Sequence, residues 1–156
     1  MHKTRAEAIA FATAQKPQAA LRHGLTASVC VRDTREEFEQ GCTTLALEKQ
    51  VRALLKYVAA DAKGKVLIAY EPVWSIGEGG TPATPEFANE QHMKISVLVE
   101  QITGSTLPIL YGGSVNQTNA KALACQSHFG GLFIGRSAWD VAGYIHILDV
   151  VVGGKS

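Results

Sequence analysis

The chain has 156 residues, 15 basic and 14 acidic side chains, a formal net charge of +1 and 46% hydrophobic residues. This length gives one domain, spanning residues 1–156, with enough chain to bury roughly two-thirds of its unfolded surface, which excludes whole-chain disorder. Near-neutral charge leaves no electrostatic footprint for nucleic acid or an anionic membrane, and no apolar run approaches the ~20 residues of a membrane span.

The N-terminus, MHKTRAEAIAFATAQKP, is too broken by charge and polarity to be a secretory signal. Thr4–His23 places Ala8, Phe11, Ala12 and Ala19 on one face of a helix that Pro17 should end or kink. Leu25–Val31 reads as a buried strand. Thr44–Ala62 follows as the clearest helix, with Leu47, Val51, Leu54, Leu55 and Val58 on one face. Val66–Tyr70 is the second strand, and Pro85–Thr103 is a helix with Phe87, His92, Ile95, Val99 and Ile102 inward. Strand Pro108–Tyr111, helix Asn116–Ala124, strand Gly131–Ile134 and helix Ala138–Val151 complete the order, and the terminal GGKS should fray. Strands alternating with helices mean a parallel sheet with right-handed crossovers.

Cys30, Cys42 and Cys125 are odd in number, widely spaced and without a Cys-x-x-Cys pair. That pattern argues for free thiols in a reducing compartment, hence a cytoplasmic protein. His2, His23, His92, His128 and His146 form no ligand-like cluster, so neither a metal nor a cofactor is expected.

Parallel α/β folds bind ligands at the carboxyl ends of their strands. The segments there read CVRD, AYEPVWSIGEGGTPATP, YGGSVN and FIGRSAW. Three are rich in glycine and hydroxyl groups, which lets backbone N–H groups approach an oxyanion or a phosphate. The second carries a carboxylate, Glu71, at a strand terminus directly before Pro72.

AYEPVWSIG, YGGSVN and FIGRSAW, in that order and spacing, resemble the triosephosphate isomerase family, and CVRDTREEFEQG resembles the segment after that family's fifth strand, where Cys-Val/Ile-Gly-Glu is usual. The resemblance runs from about Thr4 to Leu148 and matches only the second half of the family's barrel. It implies a (βα)4 half of a (β/α)8 barrel with an additional N-terminal helix, since a full barrel takes ~250 residues. The family's Asn and Lys after strand one and its His after strand four fall in the absent half. With an initial Met, the chain reads as a half-barrel rather than as a fragment.

Carried over by motif, the resemblance makes Glu71 the base that moves a proton between adjacent carbons of a sugar phosphate, a role that suits a carboxylate in a dry pocket. Pro72, Val73 and Trp74 become the first hinge of a closing lid, and Gly77 a backbone contact to phosphate. This lid is one residue longer than usual, and Glu78 brings a negative charge near the anion. Ser114 matches a second phosphate contact. Gly135 matches the first of the family's final glycine pair, and Arg136 replaces the second, adding a cation suited to phosphate. FIGRSAW with the longer lid is similar to a branch of the family associated with other sugar phosphates, four-carbon ones included.

Other residues take structural readings: Cys30 in the core, Asp33 ion-paired with Arg32, His92 as packing, Trp139 as an anchor for the last helix. Four parallel strands would leave two open edges and an inward face in water. A homodimer related by a two-fold axis is the expected remedy, with a chain supplying the first half as its rival. Two functional expectations follow. In one, the isolated chain is weak or silent as an isomerase and keeps an anion site. In the other, an assembled barrel is an active aldose–ketose isomerase for triose or tetrulose phosphate.

Overall fold

A computed structural model describes residues 15–56, 58, 64–77 and 79–153. Residues 15–22 are helical (α1) and run across Pro17, so the proline does not end this segment. The part of the expected first helix before residue 15, Glu78 and the last three residues lie outside the described residues.

Four strands follow: β1 (Ala27–Asp33), β2 (Val66–Pro72), β3 (Ile109–Tyr111) and β4 (Gly131–Leu132). They pair in sequence order in a single sheet, and all three pairings are parallel. Each connection carries helix: α2 (Arg35–Glu39) and α3 (Thr43–Lys56) after β1, α4 (Pro85–Thr103) after β2, α5 (Ala120–Ala124) after β3, and α6 (Val141–Val152) after β4. This is the arrangement expected of (βα)4 and is consistent with half of an eight-stranded barrel. Among the described residues, β1 and β4 each have one strand neighbour. No described helix is long and apolar enough to cross a membrane.

The helices form where local chemistry supports them. In α4 the Thr84 hydroxyl accepts from the Phe87 N–H at 3.2 Å, Pro85 occupies the first turn, and Gly104 closes the helix at φ 69°. The α3 stripe buries Leu47, Val51, Leu54 and Leu55 against the sheet, the face its spacing anticipates. Between β1 and α3, α2 is an unanticipated element. Thr34 and Glu37 cap it reciprocally: the Thr34 hydroxyl accepts from the Glu37 N–H, and the Glu37 carboxylate accepts from the Thr34 N–H. Conversely, residues 116–119, expected to begin a helix, form a turn closed by Asn116 and Asn119 side chains, and α5 is one short piece.

Strand alternation gives the sheet two unlike faces. Val31, Val66, Ile68, Tyr70, Ile109 and Tyr111 point under the helices and are buried in the core. The opposite face presents Ser28, Cys30, Arg32, Leu67, Glu71 and Leu110, none of them buried, with only the small Ala69 covered among them. The core therefore lies on one side only, and the strand termini of the other face carry the candidate chemistry.

Candidate active site

Glu71 is the penultimate residue of β2, on the open face, with its side chain 20% exposed. Its strand partner in register is Arg32, whose Nη2 lies 3.6 Å from Glu71 Oε2. The glycines of the YGGS turn make this placement possible. A Cβ at Gly112 would stand 2.9 Å from Glu71 Cγ, and one at Gly113 would collide with the Tyr111 hydroxyl and come within 2.9 Å of Ser75 Oγ. Their absence of side chains is steric, beyond any need of the turn itself.

A cleft of about 310 Å³ opens over these groups. Glu71, Gly77, Ser114, Gly135 and Arg136 all line it, so loops after three different strands converge on one space. Gly77 sits at φ 87°, a conformation that favours glycine. Ser114 directs its N–H at Ser75 Oγ, 3.4 Å away, and its carbonyl accepts from Asn119 Nδ2 at 2.8 Å. Gly135 has open space where a Cβ would stand, and at φ −98° and ψ −115° it lies outside both the helical and the extended backbone regions. Arg136 opens a 3₁₀ turn, is exposed, and has no carboxylate within ion-pair distance among the described residues. Trp139, expected as an anchor, is instead 80% exposed at the cleft rim.

Pro72, Val73 and Trp74 leave β2 through a 3₁₀ turn. Trp74 is held from four directions: its Nε1 donates to Asp33 Oδ2 at 3.1 Å, its carbonyl accepts from Arg35 Nη2 at 3.1 Å, and its ring stacks on Phe38 at 4.0 Å and meets Phe87 edge-on at 5.7 Å. Asp33 is completely buried and accepts also from Thr43 Oγ1 at 2.7 Å and Tyr70 OH at 3.1 Å. It does not pair with Arg32. Adjacent strand residues face opposite sides, so Arg32 reaches Glu71 while Asp33 enters the core. Strand alternation alone could have separated them.

Titration follows the same geometry. Cys30 lies half-buried on the open face rather than in the core, and this partial burial raises its thiol to about 11, with the Glu71 charge and a hydrogen bond to Glu71 adding to it and Arg32 opposing. Burial raises Tyr70, reinforced by Asp33. Tyr111 is raised to about 12 by burial, against the effect of its hydrogen bond to Ser75. His92, also buried, is pushed down to about 4. Among the described residues no group of His, Cys, Asp and Glu side chains could hold a metal ion. A more spacious groove, about 360 Å³ between α3 and α4, lies on the helical layer away from the strand ends. Its Glu48–Arg52 and Glu90–Lys94 ion pairs are ordinary i,i+4 surface pairs.

Comparison with known proteins places this geometry in context. The family model described as triosephosphate isomerase matches residues 3–151. The chain is 47% identical over 134 residues to an L-erythrulose-1-phosphate isomerase of Rhizobium etli, covering 85% of this chain and 50% of that protein. It is 45% identical over 137 residues to the protein of that name from Rhizobium meliloti (87% of this chain, 54% of the relative). The Brucella melitensis counterpart is 45% identical over 134 residues, with 85% and 52% covered. The chain thus spans about half the length of the curated relatives it matches.

Proposed function

This chain belongs to the triosephosphate isomerase family, and from that premise we propose that its cleft is one half of the active site of an aldose–ketose isomerase acting on a sugar phosphate. A four-carbon ketose phosphate is the favoured substrate class, given the printed names of the relatives. The observation that carries the reading is the convergence of the Glu71 carboxylate with Gly77, Ser114, Gly135 and Arg136 on one cleft at the strand ends.

In this reading Glu71 takes a proton from the carbon next to the carbonyl and returns it to the neighbouring carbon, while negative charge passes to the substrate oxygens. Arg32 balances the Glu71 charge and is a cation within reach of that developing oxyanion. The phosphate group lies against the backbone of Gly77 and Gly135 and the Ser114 hydroxyl, with the Arg136 guanidinium as counter-charge. Trp74, fixed by Asp33, Arg35 and Phe38, is the rigid end from which the Gly77-bearing segment closes.

The family's Asn, Lys and His donors have no counterpart in these residues. Each missing oxyanion donor lowers turnover by about 10²–10³-fold, so the 156-residue chain by itself is weak or silent as an isomerase while keeping an anion site. Full turnover belongs to a completed barrel. A coupled isomerase assay with L-erythrulose 1-phosphate and with a triose phosphate, run beside Glu71→Ala, tests the base. Amide shifts of Gly77, Ser114 and Gly135 on adding inorganic phosphate test the cradle. Absence of both turnover and phosphate-induced shifts would end this reading.

A further inference from the structure

Ser75 is a polar side chain shut away beside the cleft. It is the last residue of the 3₁₀ turn that leaves β2, two positions before Gly77, and it is 1% exposed. A buried hydroxyl is tolerated when its hydrogen bonds are made and is costly when they are not. Here all of them are made. Ser75 Oγ donates to the Pro72 carbonyl at 2.8 Å, which leaves two acceptor positions on the oxygen. The Ser114 N–H, 3.4 Å away, and the Tyr111 hydroxyl fill them. One oxygen thereby joins the end of β2, the end of β3 and the YGGS turn.

The far arm of the Gly77-bearing segment returns to the same point. The Thr81 N–H donates to the Trp74 carbonyl at 3.2 Å. Gly80 lies so close to the Ser75 backbone that a Cβ on it would stand 2.7 Å from the Ser75 carbonyl carbon and oxygen. Both arms of that segment therefore meet at Trp74 and Ser75, and the Ser75 hydroxyl links it to the turn that carries Ser114.

We propose that Ser75 is a positioning residue for the phosphate cradle: its hydroxyl fixes the Gly77-bearing segment against the YGGS turn, so that Gly77 and Ser114 face one anion without rearrangement. The proposal rests on the cleft being a phosphate site. It assigns Ser75 no contact with the anion, because its oxygen is fully engaged and does not line the cleft. What Ser75 supplies is preorganisation: cradle groups already held in place lose less freedom when the anion arrives.

Amide spectra of the full chain, recorded with and without inorganic phosphate, test this. Ser75→Ala should speed exchange of the Ser114 N–H severalfold in the free protein. It should also weaken phosphate binding, read from the Gly77 and Ser114 shifts, by about threefold to tenfold, the scale of one hydrogen bond. Ser75→Thr keeps the hydroxyl and should restore both. Ile95→Val trims the core on α4, away from the cleft, and should lower stability to urea without moving the phosphate affinity, which separates positioning from general loosening. A parent chain with no phosphate-induced shifts would end the cleft reading and this proposal together. A parent that binds phosphate, beside a Ser75→Ala variant that binds it equally well or leaves Ser114 exchange unchanged, would end this proposal alone.

Discussion

Acidification should remove stability through His92. Its ring is completely buried, stacked on Phe129 at 4.0 Å and edge-on to Tyr70 at 6.0 Å. Nδ1 lies 3.3 Å from the His128 carbonyl oxygen, to which it donates in the neutral ring. Nε2 is buried with no partner among the described residues, so a second ring proton there would be both charged and unpaired. Burial is the main cause that brings the group from 6.5 to about 4; the His128 carbonyl resists this, and the His128 charge adds to it slightly. Because the folded value lies below the unfolded one, the unfolded chain binds more protons between them. The contribution is complete above about pH 6.5 and is lost as the pH falls through about 4. At 1.36 kcal/mol per pKa unit this amounts to about 3 kcal/mol. Urea unfolding at fixed chain concentration, from pH 7 down to 4, should show the parent losing about 3 kcal/mol more than His92→Phe, which keeps a ring against Phe129. Carboxylates titrate in both proteins and cancel in the difference. Parallel stability curves would refute the argument.

Three further outcomes are expected. Asp33→Ala leaves the Thr43, Tyr70 and Trp74 donors without their acceptor; at 1–3 kcal/mol per unsatisfied group, a loss of at least about 3 kcal/mol should appear in urea unfolding, with a shift in Trp74 fluorescence. Gly112→Ala pushes a Cβ to 2.9 Å from Glu71 Cγ; overpacking of this kind destabilises by about 1–3 kcal/mol, and any turnover that depends on Glu71 should fall in the coupled assay. With Cys42 and Cys125 replaced by Ser, alkylation of Cys30 at pH 8 should run roughly 100-fold below that of an ordinary thiol, the displacement from 9.0 to about 11. Glu71→Gln removes the charge that opposes the thiolate and should speed that reaction; an unchanged rate would show that the two side chains do not interact.

The alternation of strands and helices, and the ends of α4, were legible because each rests on residues close in the chain. Thr84, Pro85 and Gly104 mark one helix whatever surrounds it. The position of Glu71 at a strand terminus came with the AYEPVW motif, and the strand's register then put it on the open face. The Thr34-x-x-Glu37 box was also present in the sequence, but one short polar turn of helix has no apolar period to draw attention to it.

What the chain alone could not decide were the contacts between residues far apart along it. Arg32 and Asp33, neighbours of opposite charge, invite pairing on paper; the pleat of β1 sends one to Glu71 and the other to Tyr70 and Trp74. The exposure of Trp139 and of the α6 face is likewise invisible to composition, because an apolar helix reads the same whether or not something covers it. Local backbone preference and hydrophobic period are written residue by residue. Burial and pairing depend on which surfaces meet, and only the folded arrangement supplies that.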